Sequence, residues 1–246
     1  MFKKFRLVYL LMLFFSFLFS TQSFAQAKKT VAPKPVIAAK TNTITIASKI
    51  STGPVRIKIS TGFGEIIIKL SDSTPLHRDN FVKLVKEGFY DSLLFHRIIP
   101  NFMIQGGDPS SKYAQAGEML GNGGGDLARI PAEFHPSLYH KKGALAAARD
   151  GNPQMASSAC QFYLVEGKIY TDAQLNMLEE QRGSKFSPEQ RIIYTTVGGT
   201  PQLDKAYTVF GEVESGMEVI TQITHVQKDE NNRPLGDVRM KIELMK

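Results

Sequence analysis

The 246-residue chain predicts a mostly β fold, a closed antiparallel sheet with a few helices, and two observations carry that expectation. Short strand-like runs recur as VRIKIS, GEIIIKL, QFYLV, YTVFGEV and VRMKIELM, with Gly and Pro punctuating between them. Helical patterns are few and do not alternate with the strands as βαβ units would.

The N-terminus places Lys3, Lys4 and Arg6 before an apolar stretch over 7–20, followed by Ser23-Phe24-Ala25. That is the pattern of a secretory signal peptide over 1–25, cut after Ala25. A membrane anchor is the rival reading, but crossing a bilayer takes about 20 apolar residues and this stretch is shorter. No cysteine lies near the cut, which argues against a lipid anchor, and the expected destination is the periplasm or the outside. Residues 26–53, rich in Lys, Ala, Thr and Pro without helical periodicity, read as a linker. Residues 54–246 are then one domain of ordinary size.

The formal charge of +7 is unevenly distributed: residues 1–60 hold ten Lys or Arg and no acid, whereas the remainder holds twenty against twenty-three Asp or Glu. The domain itself is mildly acidic and lacks the footprint of a nucleic-acid binder. The single cysteine, Cys160, leaves no intramolecular disulfide, so the core must hold the domain; Cys160 reads as a small buried filler.

Within the domain, VRIKIS alternates apolar and polar residues, GEIIIKL is a β-branched run, and STGF joins them as a hairpin. A helix follows, with Thr74 as its cap, Pro75 at its first position, Phe81, Leu84 and Val85 on its apolar face, and Gly88 as its stop. Between QFYLV and YTVFGEV, residues 170–199 carry two capping-box signatures, Thr171 with Gln174 and Ser187 with Gln190. Pro188 opens the second helix and Gly183 ends the first, so a helical hairpin is expected, with Glu179, Glu180 and Arg182 on its wet face.

Most chemical motifs are absent. The Gly-rich GNGGGD at 121–126 lacks the Gly-Lys-Ser/Thr ending of a phosphate loop and reads as a flexible turn. His135 and His140 lack partners at metal-ligand spacing, and no GxSxG elbow or catalytic cysteine context occurs. The exception is FHRIIPNFMIQGGD at 95–108, where Arg97 stands in an apolar run and needs either a partner or a function.

With that stretch, GALAAARDGNPQMASSACQFYLV at 143–165 and QLDKAYTVFGEV at 202–213, the chain resembles the cyclophilin family of peptidyl-prolyl cis-trans isomerases, in its secreted bacterial branch, from about residue 55 to the C-terminus. The resemblance implies an eight-stranded antiparallel barrel capped by two helices, with the active groove on its outer face. Carried over residue by residue, it makes Arg97 the catalytic arginine and places Phe102, Met103, Phe162 and Leu203 on the walls of a proline pocket. Gln105, Ala148, Arg149 and Gln161 fall at groove positions, and Tyr207 stands where the family often has histidine. Gln202 stands where some members carry tryptophan, Asn101 stands where glycine is frequent, and Lys205-Ala206 replaces a Gly-Lys step, which puts loop geometry near Leu203 in question.

The implied reaction is rotation about Xaa-Pro bonds, whose planar form resists twisting by about 18–20 kcal/mol. It requires no covalent step, metal or cofactor. The implied partners are proline-containing peptides and unfolded exported proteins, bound by a monomer with no nucleic acid and, after cleavage of the leader, no membrane. A non-catalytic chaperone that grips proline segments is the rival; it needs the groove but not Arg97. The 170–199 insertion is expected beside the groove, either selecting client segments or serving as a tolerated surface elaboration.

Overall fold

A computed structural model describes residues 54–245; the leader expected over 1–25 and the linker over 26–53 lie outside the described residues. Strands β1 (Arg56–Thr61) and β2 (Gly64–Leu70) form the first hairpin, turning on Gly62-Phe63 with Thr61 opposite Gly64. Helix α1 (Pro75–Lys86) follows, then β3 (Phe95–Ile99) and β4 (Met103–Gly106). After a long connection come β5 (Ala144–Ala147) and β6 (Phe162–Val165), then helices α2 (Asp172–Arg182) and α3 (Pro188–Thr196). Strand β7 (Val209–Ser215), helix α4 (Met217–Thr224) and β8 (Met240–Leu244) complete the domain.

The eight strands form one antiparallel sheet in the order β3-β4-β6-β5-β7-β2-β1-β8. Its two edges meet: the Met240 N–H donates to the Leu93 carbonyl and the Phe95 N–H to the Val238 carbonyl, each at 2.9 Å. This is the expected mostly β barrel. Its interior is filled by Ile57, Ile59, Ile66, Ile68, Phe95, Leu145, Phe162, Leu164 and Phe210. Helix α4 sits at the Gly64 end of β2, where Val219 Cγ2 would lie 3.0 Å from a β-carbon on Gly64, while α1 departs from the Leu70 end. The two helices therefore close opposite openings, with Phe81, Leu84 and Val85 of α1 and Ile220 and Ile223 of α4 in the same core.

Thr74 occupies the N-cap position of α1, but its hydroxyl makes no capping bond and is buried without a partner. Glu133 caps the helix instead. Its carboxylate accepts from the backbone N–H of Leu76 at 3.1 Å and of His77 at 3.0 Å, and from His77 Nδ1 at 2.7 Å. The helix N-terminus favours an anion, which threonine cannot supply.

In the 170–199 insertion both capping boxes close as the sequence indicates, and Gly183 takes the left-handed conformation that ends α2. The expected wet face does not hold for Glu179 and Arg182. Glu179 is buried, accepting from Lys185 Nζ, the Phe186 N–H and Arg191 Nη1, and these donors bring its carboxyl down to about 2. It ties α2 to α3. Arg182 turns toward the barrel and donates to the carbonyls of Pro201 and Asp204, both at 2.9 Å. Where the hairpin rejoins the barrel, Gly199 (φ +155°) bridges both Lys141 and Lys168. A β-carbon there would lie 2.2 Å from the His140 carbonyl oxygen, so only glycine fits.

Candidate active site

Pleating places directly opposed residues on the same face of a sheet. Gln105 on β4 faces Arg97 on β3 and Tyr163 on β6, and Tyr163 faces Ala146 on β5. Four strands thus present Arg97, Gln105, Tyr163 and Ala146 in one row on the outer face. Arg97 reaches that face because of a bulge. Phe95 points into the core, so strict alternation would send Arg97 there too. The register instead shifts between the two, with His96 the extra residue. A bulge re-aims the side chain that follows it, and this one carries the arginine out of the core.

The row borders a cavity of about 130 Å³ lined by Arg97, Phe102, Met103, Gln105, Ala148, Arg149, Tyr163, Leu203 and Tyr207. Arg97 Nη1 donates to Gln105 Oε1 at a long 3.3 Å, and Gln105 Nε2 donates to Gln161 Oε1 at 3.1 Å. Gln161 Nε2 in turn donates to the carbonyls of Gly121 and Gly123, at 2.9 and 3.0 Å. Among the described residues Arg97 forms no ion pair with a carboxylate. On the far wall the Arg149 guanidinium lies 4.7 Å above the Tyr207 ring and donates to the Ala206 carbonyl at 2.8 Å.

Phe162 is not a wall of this cavity. It is 1% exposed and meets Phe81, Tyr90 and Phe95 edge-on inside the barrel, at ring separations of 5.4, 5.6 and 6.2 Å. Its neighbour Tyr163 supplies the wall, because successive strand residues point to opposite faces. Assigning both Gln161 and Phe162 to the groove conflicts with that alternation; Gln161 and Tyr163 satisfy it. Gln202 is exposed and lies outside the cavity, its Oε1 accepting from the Tyr170 hydroxyl at 3.0 Å.

The glycine run read as a flexible turn is instead tied down. The Asp108 carboxylate accepts from the N–H of Gly121 at 2.5 Å, Gly123 at 3.2 Å and Ser110 at 2.8 Å. Burial alone would raise that carboxyl, but these donors outweigh it and hold it below the ordinary value. Residues 121–125 line a second cavity of about 350 Å³ that shares Gln105, Ala148 and Arg149 with the first. Nothing in the glycine pattern alone points to this.

A family model described as cyclophilin type peptidyl-prolyl cis-trans isomerase/CLD matches residues 56–243. The chain belongs to the cyclophilin family. A Staphylococcus haemolyticus protein named as a peptidyl-prolyl cis-trans isomerase is 34% identical over 176 residues, 71% of this chain and 83% of that protein. A Streptococcus pyogenes protein named as a bifunctional phosphatase/peptidyl-prolyl cis-trans isomerase is 36% identical over 174 residues. That match covers 70% of this chain and spans only 34% of the Streptococcus protein. The crystal structure of a Cryptosporidium parvum cyclophilin type isomerase superposes with a TM-score of 0.58 at 23% identity, covering 79% of this chain and 99% of that one. A second structure of it, in the presence of the dipeptide Ala-Pro, gives 0.55. The cyclophilin barrel is therefore common ground.

Proposed function

We propose that this cyclophilin accelerates rotation about Xaa-Pro bonds in exported proteins and so assists their folding, with the cavity beside Arg97 receiving the proline ring. The observation that carries the reading is a guanidinium that has no carboxylate partner among the described residues, at the rim of a pocket walled by Phe102, Met103, Leu203 and two tyrosines. In the planar ground state the proline nitrogen shares its lone pair with the carbonyl. At the twisted transition state it becomes pyramidal and regains that pair, so Arg97 gains an acceptor that the ground state lacks. An interaction made only at the transition state lowers the barrier. Such a charge-assisted bond is worth on the order of 1.5–3 kcal/mol, and the rest comes from binding a twisted peptide in a preorganised, partly dry groove. Gln105, held between Arg97 and Gln161, orients the guanidinium.

Proline-containing peptides and unfolded exported chains are the partners in this reading, and the periplasm or the outside is the setting. Support for export is the basic and apolar pattern of residues 1–25. A protease-coupled assay on an Xaa-Pro peptide tests the chemistry. Arg97→Ala should lower kcat by roughly ten- to a hundredfold while leaving peptide affinity nearly unchanged. Full turnover in that variant overturns the mechanism and leaves a proline-gripping chaperone. Export is tested by intact mass of the native protein, expected to begin at Gln26, soluble and lipid-free.

A further inference from the structure

Behind the Tyr163 wall lies a buried polar chain that the reaction itself does not require. The Tyr163 hydroxyl is 2.9 Å from His140 Nε2, and His140 Nδ1 is 2.9 Å from Asp204 Oδ1. The His140 backbone N–H donates to the same oxygen at 2.8 Å, and the Tyr194 hydroxyl donates to Asp204 Oδ2 at 2.7 Å. A carboxylate facing Nδ1 and a phenol hydroxyl facing Nε2 match the imidazole tautomer that carries its hydrogen on Nδ1, with Nε2 accepting from Tyr163. Burial pushes both tyrosine hydroxyls well above their ordinary value, which keeps them donors. The chain thus has one hydrogen pattern, from Tyr163 through His140 to Asp204 and back from Tyr194, with every side-chain polar atom satisfied.

Its two ends belong to different parts of the molecule. Tyr163 stands edge-on to Tyr207 in the proline pocket, with ring centroids 6.0 Å apart. Tyr194 belongs to α3 and is fully buried among Tyr139, Leu175 and Phe186. Arg182, in the last turn of α2, holds the carbonyls of Pro201 and Asp204 and so brackets the pocket residue Leu203.

We infer that the α2–α3 hairpin is a structural part of the pocket, with Tyr194, Arg182, Asp204 and His140 as positioning residues that fix the Tyr163 and Leu203 walls. This rests on the reading that the cavity receives the proline ring. Those walls touch the ring in the ground state and the transition state alike, so loosening them raises KM and leaves kcat in place. A satisfied buried chain transmits the loss of one member to the next, because the partner left behind must find another bond or move.

Tyr194→Phe removes one oxygen and keeps the packing. For the folded variant, KM for an Xaa-Pro tetrapeptide should rise about three- to tenfold with kcat within about twofold of the parent. Adding Tyr163→Phe should produce much less than the product of the two single effects, since both cut the same chain. Unchanged KM in Tyr194→Phe, or multiplying effects in the double variant, overturns the inference. If Tyr194→Phe fails to fold, Arg182→Gln is measured in its place. A raised KM at constant kcat then supports the inference, and an unchanged KM overturns it. Leu203→Ala separates this from the pocket reading. If it raises KM while the hairpin variants do not, only the inference falls; if it too leaves KM unchanged, the pocket reading falls and the inference with it.

Discussion

Two residues near the pocket, Asn101 (φ 60°) and Lys205 (φ 61°), hold left-handed backbone where the family resemblance suggested glycine. Asparagine tolerates that region, and the Asn101 N–H is further anchored on Glu166 Oε2 at 2.5 Å. Lysine has no such excuse: a β-carbon in that conformation costs roughly 1–2 kcal/mol. Lys205→Gly is therefore expected to stabilise the protein by about 1 kcal/mol in urea unfolding, less whatever the freer unfolded chain takes back. A destabilised variant would show that Lys205 makes a compensating contact. Phe162 separates core from pocket more sharply. Phe162→Ala should cost about 3–5 kcal/mol of stability, whereas Tyr163→Phe should keep most of the stability and shift KM. The identity of the pocket residues was legible for Arg97, Phe102, Met103, Gln105, Ala148, Arg149, Leu203 and Tyr207, which all line the one cavity. Matching short blocks to a family gives position along the chain but not the face of the strand. For that, the period of two in QFYLV is the signal.

Elements whose signals span three or four residues read well, as the boxes Thr171 with Gln174 and Ser187 with Gln190 demonstrate. The cap of α1 did not, because Glu133 lies 57 residues beyond Leu76 and no local pattern connects them. The bulge at His96 escapes for a related reason: it exists only in the pairing of β3 with β4, which periodicity within β3 cannot report. The α1 cap yields a contrast between two substitutions. Glu133→Ala strips three donors, the N–H groups of Leu76 and His77 and the His77 ring, and should cost about 1–3 kcal/mol. Thr74→Ala removes only a buried hydroxyl that bonds nothing, so it should be neutral or slightly stabilising. Thermal melts of the two variants check this, and a larger loss for Thr74→Ala would return the cap to threonine.

At the scale of the molecule, the strand runs alone gave a closed antiparallel sheet; the number of strands came from the family resemblance. What no part of the sequence announced is how much buried polar structure the barrel carries, and that sets its response to acid. His96, pressed into the bulge with no well-formed hydrogen bond to either ring nitrogen among the described residues, has its imidazole lowered to about 4 by burial, despite the pull of Asp108 and of the Leu94 backbone nearby and with Arg97 and Arg233 adding repulsion. His77 is lowered in the same direction, again chiefly by burial and against the attraction of Glu133. For Glu133, burial pushes the carboxyl up, but the donors from His77 and Leu76 outweigh it and leave it below its ordinary value. Between the ordinary histidine value near 6.5 and the folded value near 4, the unfolded chain binds a proton at residue 96 that the folded chain refuses. Stability is therefore full above about pH 6.5 and falls as the pH drops through that window, with His77 adding to the loss and the depressed carboxylates Glu133 and Asp108 extending it to lower pH. From His96 alone the fall between pH 7.5 and 4.5 is on the order of 2–3 kcal/mol. Urea unfolding at pH 4.5, 5.5, 6.5 and 7.5 should trace it in the parent. His96→Leu, which cannot take up the proton, should flatten the profile to the part left by His77 and the carboxylates, and parallel profiles for parent and variant would place the acid sensitivity outside the bulge.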